Sequence, residues 1–172
     1  MISCKDFKNP AGPEPIEPPK DNQPSEVTVE YNGTPVAATI DKYQLTLNWV
    51  KIEEKLKDYT QEKWFYPYFR YFLVMEVKCR NTGAGNGLSL GFVTNMFKIV
   101  DRNNATYWPR TTIACSCFYN ALMYYEIEAG QESPPAIVVF DVPDPKNGLV
   151  LVFSNTPVEE LIKFRIYFKL NL

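Results

Sequence analysis

Histidine does not occur anywhere in the chain. That absence excludes histidine-based acid–base catalysis, Ser-His and Cys-His nucleophile pairs, and histidine-ligated metals. Charge of one sign is not in excess either. Eighteen Lys and Arg face twenty Asp and Glu for a formal net charge of −2, and the charges are mixed along the chain. Nothing resembles the basic stripe that nucleic-acid binding needs. No apolar run approaches the roughly 20 residues that span a bilayer. Carboxylates, Tyr, Lys and four cysteines remain for chemistry.

What is abundant is aromatic. Eleven Tyr, eleven Phe and three Trp make up 15% of the chain, and such side chains favour the pleated surface of a strand. At 172 residues the size fits one domain, or one domain and a tail. The boundary is visible. Residues 5–26 hold six prolines, all between positions 10 and 24, with several charges and few large apolar side chains. Such a stretch builds no core and is expected to be extended. At about 3.1 Å per residue it spans on the order of 60 Å. Residues 1–26 therefore read as a tether or extended arm, and residues 27–172 as the folded domain. Cys4 lies just upstream of the prolines. This arrangement resembles the start of a mature bacterial or archaeal lipoprotein, in which a lipidated cysteine is followed by a polar spacer. Cys4 is accordingly expected to be a lipid anchor, the only route to a membrane, on a protein of the cell surface or extracellular space.

From residue 27 the texture becomes that of strands. "VTVEY" alternates and ends at the turn signal "NGT". "YQLTLNWVKIE" puts Leu45, Leu47 and Trp49 on one face by the period of two. "EKLKDYTQEKW" is polar, and it is the one place before the C-terminal region expected to hold a helical turn or two. "YFLVMEVKCRN" points Leu73, Met75, Val77 and Cys79 inward, and "TGAGNG" breaks the pattern. "FVTNMFKIVD" and "ATYWPRT" form a hairpin around "DRNN", since Asp and Asn tolerate positive φ. "AIVVFDVP" is a short apolar strand closed by Pro143, and "DPKNG" turns into "LVLVFS". In "KFRIYFKLNL", Phe164, Ile166, Phe168 and Leu170 face in while Lys163, Arg165 and Lys169 face out. Eight or nine strands with scarcely a helix predict an all-β fold, an antiparallel immunoglobulin-like β-sandwich. The Cys…Trp…Cys order of antibody domains is missing, so this rests on strand count.

The stretches "RYFLVMEVKCRNTG", "DRNNATY" and "EAGQESPPAIVVFDVPDPKNGLVLVF" resemble a family of secreted domains of unknown function. That family has an immunoglobulin-like sandwich related to a secreted mycobacterial antigen, and it is often carried on lipoproteins. The resemblance spans roughly residues 43–170. Its motifs are turns and core positions, and it brings no catalytic residues to transfer. Residues 53–68 and the segment "CSCFYN" depart from it.

Two stretches stand out chemically. In "ACSC", Cys115 and Cys117 on a strand would share a face and not bridge each other. With Cys79 they are read as disulfide candidates or buried thiols, with a soft-metal site as the lesser alternative. "WFYPYFRYF" puts seven aromatics into nine residues. It is either the start of a core strand or an exposed stacking surface for sugars or proline-rich peptides, and Trp64, Tyr66 and Tyr68 are its contact candidates. Asp101, Glu126, Glu128, Asp141 and Asp144 fall near strand ends. Without a spaced ligand loop they read as solvated turn residues, not as a calcium site.

No catalytic residue, metal or cofactor is expected. The functional expectation is a non-enzymatic, surface-tethered binding or interaction module with a protein or surface-glycan partner. The alternatives are a structural subunit of an extracellular filament or coat and, least favoured, a carboxylate-dependent hydrolase. In the filament reading "SEVTVEY" completes a neighbour's sheet by strand addition, so the N-terminal segment mediates self-association.

Overall fold

In a computed structural model, the structure describes residues 23–59, 62–83 and 89–172. The Cys4 expectation and residues 1–22 of the expected 1–26 tether lie outside the described residues, while Ser25 and Glu26, read as its end, open the first strand. The elements in chain order are β1 (Ser25–Tyr31), β2 (Val36–Ile40), β3 (Tyr43–Glu53), β4 (Leu56–Lys57), β5 (Trp64–Phe65), β6 (Tyr71–Asn81), β7 (Leu90–Val93), β8 (Phe97–Val100) and β9 (Thr106–Tyr107). They continue with α1 (Thr111–Cys117), β10 (Tyr124–Ile127), β11 (Ala136–Val142), β12 (Val150–Ser154) and β13 (Phe164–Leu170), and single 3₁₀ turns cover Thr94–Met96 and Glu159–Leu161.

Two sheets face each other, in the orders β1-β13-β12-β8-β9 and β11-β6-β3-β2. The pair β7–β10 forms a smaller third sheet. This is the expected all-β sandwich. Among the described strands the pairings are antiparallel except one: β1 runs parallel to β13, from Ser25 opposite Phe164 to Tyr31 opposite Leu170. Between the layers lie Leu45, Leu73, Met75, Val77, Phe140, Ile166 and Phe168, all fully buried. The inward alternations read in β6 and β13 are those observed. Rings of Tyr43, Phe92, Phe97, Phe153 and Phe164 stack through this core with centroids 5.1–6.5 Å apart. Tilted and edge-on ring pairs of this kind add about 0.5–1.5 kcal/mol each beyond their buried area.

Turn chemistry sets the hairpins. Asp41 adopts φ +52° in the two-residue turn between β2 and β3, and Asn104 adopts φ +63° between β8 and β9. Asp101 holds the second turn, accepting the amides of Asn103 and Ala105 at 2.8 and 2.9 Å. The Tyr107 hydroxyl and the Asn147 side-chain amide donate to its other oxygen at 3.2 and 3.1 Å. Burial acts to raise the Asp101 pKa. The four donors outweigh it and hold the carboxyl below its ordinary value.

The structure corrects three sequence readings. The polar stretch after β3 holds no helix among its described residues; Leu56–Lys57 and Trp64–Phe65 pair as a short antiparallel ladder. Alternation across β3 is broken by a bulge between Leu47 and Trp49, where Asn48 has no partner in the register. The extra residue turns Trp49 to the outer face while Val50 returns to the inner core. "ACSC" is helical, not extended, because it belongs to α1.

These last elements have one job. α1 and the β4–β5 pair cover the outer face of the four-stranded sheet. A second apolar cluster forms there from Leu56, Phe72, Val74, Ile113, Ala114, Ile137 and Val139, with Trp49, Phe65, Cys117 and Phe118 against it. Hence β11 is buried on both faces and reads as a continuous apolar run. A seven-residue helix is too short to persist alone, and α1 has no side-chain N-cap. Tethers to β11 hold its ends: the Arg110 amide donates to Val139 at 2.7 Å and the Leu122 amide to Ile137 at 2.8 Å.

Candidate functional site

The aromatic stretch 64–72 divides by alternation. Phe65 and Pro67 are half-buried and Phe72 is fully buried, while Trp64, Tyr66, Tyr68 and Phe69 are exposed. All three contact candidates are therefore on the surface, but the structure does not gather them. Trp64 lies on the β4–β5 ladder under two lysines, with Lys55 Nζ at 4.4 Å and Lys57 Nζ at 5.9 Å from its ring centre. Tyr66 makes no ring contact among the described residues. Tyr68 belongs to a different group.

That group is a ledge formed by three rings in sequence. Tyr68, 82% exposed, meets Phe69 edge-on at 5.4 Å, and Phe69 meets Tyr107 edge-on at 5.7 Å. Trp108, next in the chain and 55% exposed, extends the ledge. Phe69, Tyr107, Trp108, Arg110 and Asp141 line an open cleft of about 260 Å³.

The ledge is held from below by one carboxylate. Asp141 is only 3% exposed and sits on β11 facing out of the sheet. Its two oxygens accept the backbone amides of Tyr68 at 2.6 Å and Phe69 at 3.0 Å. Arg110 Nη1 lies 3.4 Å from it, with the guanidinium partly exposed in the cleft. An irregular loop with large rings outward is thus pinned to a core strand. The rings are pre-oriented, which lowers the ordering cost of binding. Of the carboxylates singled out in the sequence, Asp101 and Asp141 are used up on backbone amides, and Asp144 accepts the amide of Lys146 at 2.9 Å. Glu126 accepts the hydroxyl of Ser89 at 2.5 Å. These four are spent on turns and tethers. No cluster of three or more metal-ligating side chains occurs among the described residues.

The thiols do not pair. Cys79, Cys115 and Cys117 are free. Cys79 points into the inner core, whereas Cys117 packs against the cluster on the opposite face of the same sheet. The disulfide expected from Cys79 to Cys115 or Cys117 would have to cross the sheet, so it is not formed. Burial, aided by Glu132, pushes the Cys79 thiol up to about 12. Burial and then Asp58 raise Cys117. A neutral thiol is a poor nucleophile and a poor metal ligand.

Sequence reasoning missed Phe69, Tyr107, Trp108, Arg110 and Asp141 as members of one site. A local signal exists in "YWPR": a ring pair directly after a hairpin and before a proline is exposed more easily than buried. The partnership with Asp141 has no local signal, because it spans more than 70 residues.

No family model matches the sequence, and no curated protein does either. Several solved structures resemble the chain. The yjhA protein of Bacillus subtilis is 16% identical, with a TM-score of 0.53 over 79% of this chain and 96% of that one. A secreted protein of Mycobacterium tuberculosis, MPT63, is 14% identical, with a TM-score of 0.46 over 86% and 98%. An uncharacterized β-sandwich protein of Clostridium difficile is 12% identical, with a TM-score of 0.46 over 89% and 99%. The likeness to the Bacillus subtilis protein is one of fold.

Proposed function

We propose that the protein is a non-catalytic, extracytoplasmic binding module that engages a protein or glycan partner through the Tyr68–Phe69–Tyr107–Trp108 ledge. One observation carries the reading: the exposed rings of Tyr68 and Phe69 are held beside half-buried Tyr107 and exposed Trp108 by a buried carboxylate that accepts the backbone amides of Tyr68 and Phe69 and pairs with Arg110. Rings that served only as core would be inside, and a carboxylate serving as acid or base would keep free lone pairs, whereas the oxygens of Asp141 accept two amides and face Arg110. Stacking on sugar faces or proline rings suits such a row, and Arg110 supplies a cation at its foot. The lack of histidine supports a non-enzymatic role. Cys4 and the prolines after it support a tethered position outside the cell.

Titrating the full chain with panels of oligosaccharides and extended peptides, followed by tryptophan fluorescence, tests the ledge. Binding is expected for one class, and Tyr68→Ala or Trp108→Ala is expected to weaken it roughly tenfold, the value of one aromatic contact. Failure of both classes to bind, or binding unchanged in both variants, removes the reading. For the address, Cys4→Ser in the native gene is expected to move the protein from the membrane to the soluble fraction.

A further inference from the structure

The ledge carries a charge that its rings do not need. The two segments that hold the rings, residues 64–72 and 102–110, contain Arg70, Arg102 and Arg110, all exposed, and no carboxylate. Asp101 and Asp141, which bond to these segments, are buried and accept backbone amides. Beyond Trp108, Lys98 Nζ lies 6.0 Å from the ring centre, and Glu159 near it is engaged by Arg165. Arg110 stands in the cleft itself, with its side chain 44% exposed. Its one side-chain hydrogen bond among the described residues is the 3.4 Å contact from Nη1 to Asp141 Oδ2, and that oxygen already accepts the Tyr68 amide at 2.6 Å. A guanidinium carries several N–H donors in a planar fork, so most of this one is left to meet a ligand.

We infer that the ledge takes an acidic glycan, a chain bearing uronic acids, with a sugar ring against Tyr107 or Trp108 and its carboxylate on the Arg110 fork. The inference rests on the ledge reading above and names its ligand class. The rings supply apolar faces for the C–H side of a sugar, and the guanidinium matches a carboxylate at two points. Arg70 and Arg102 add cations for further acidic units along the same chain. A peptide is served less well. Extended peptides bind by adding a strand to a sheet edge. The edge strand here is β9, only Thr106–Tyr107 long. Pro109 just beyond it has no amide to donate, and it already bridges to Phe140. A proline-rich peptide would use the rings and leave the arginine unmatched.

The test is calorimetric titration of the full chain with oligogalacturonate and with hyaluronan oligomers, each beside its own methyl ester. At least one acid is expected to bind roughly tenfold more tightly than its ester, the worth of a charge-assisted hydrogen bond. Added salt should narrow that gap, because it screens the charge and not the stacking. In Arg110→Gln the acid is expected to fall to the affinity of the ester, and the ester to bind as it does to wild type. The wild-type comparison needs no variant, so it holds whatever the substitution does to folding. Acid and ester bound equally would overturn the inference and leave the ledge standing. A preference for acid that survives in Arg110→Gln, or an equal loss of acid and ester there, would overturn it too. Binding of acidic peptides alone would assign the ledge to a protein partner and overturn it. If neither sugars nor peptides bind, the ledge reading falls and the inference falls with it.

Discussion

Asp141 shows how much one side chain decides here. It is buried, it faces outward from a central strand, and it satisfies two loop amides along with the Arg110 guanidinium. Asp141→Ala leaves those donors without an acceptor, and hydrogen bonds to a charged group contribute about 1.5–3 kcal/mol each at part-buried sites. A loss of about 2–4 kcal/mol in urea unfolding is therefore expected, along with weaker partner binding because the rings are no longer pinned. Equal stability of variant and wild type would mean that the loop is held by its rings alone. Cys79 acts on the pH axis. Its thiol titrates near its ordinary 9.0 in the unfolded chain and at about 12 in the fold. Between those values the unfolded state binds fewer protons, so stability falls as pH rises. Tyr43, Tyr107 and Tyr167 are raised as well, by burial first, and act in the same direction at still higher pH. Asp101 has the opposite sense: its contribution is present above the unfolded value and is lost as pH falls through its lowered one. Urea midpoints measured from pH 3 to pH 11 should fall at both ends. Cys79→Ala should flatten the alkaline limb. In native protein at pH 8, Cys79 should resist alkylation that it undergoes once unfolded.

At the scale of elements, the outer layer is where structure parts from pattern. The inner faces of β6 and β13 were legible because their residues alternate, whereas β11, buried on both faces, was legible only as an apolar run. β3 was legible only up to Leu47, since a bulge is a backbone event and the residue that makes it, Asn48, is ordinary in composition. α1 was misread because a seven-residue helix carries fewer than two turns of periodicity, and tertiary contacts supply what its propensity lacks. The two stretches that depart from the family pattern, residues 53–68 and "CSCFYN", fall on the β4–β5 cover and the α1 segment. Together they hide an apolar sheet face that would otherwise be exposed. Ile113 is the helix's main anchor in that cluster. Ile113→Ala is expected to cost about 2–4 kcal/mol by cavity formation. Because α1 also holds Arg110 at its start, hydrogen exchange at Tyr68 and Phe69 should quicken in the same variant. If exchange there is unchanged, the cover and the ledge are independent units.

The whole molecule turns on β1. In the filament reading this segment completes a neighbour's sheet; in the structure it completes its own. All seven of its residues pair with β13. Its last residue, Tyr31, is buried in the inner core. The Tyr31 hydroxyl then crosses to the other sheet, accepting the amide of Val50 at 3.1 Å just beyond the β3 bulge. A bulge leaves backbone groups without ladder partners, so this bond both satisfies one of them and ties the two layers. At the same end the Asn171 amide donates to the Tyr31 carbonyl at 3.0 Å, joining the segment to the chain's final residues. A strand given to a neighbour would forfeit all of these contacts at once. The full chain is therefore expected to sediment as a monomer at micromolar concentration. Tyr31→Phe should cost about 1 kcal/mol, the net worth of one hydrogen bond plus the partner it leaves unmet. Tyr31→Ala should cost about 3–5 kcal/mol, as for other large aromatic truncations in a core. If wild-type protein instead forms ordered polymers that Tyr31→Ala abolishes without loss of monomer stability, then the strand belongs to a neighbour and the self-contained domain is the wrong description.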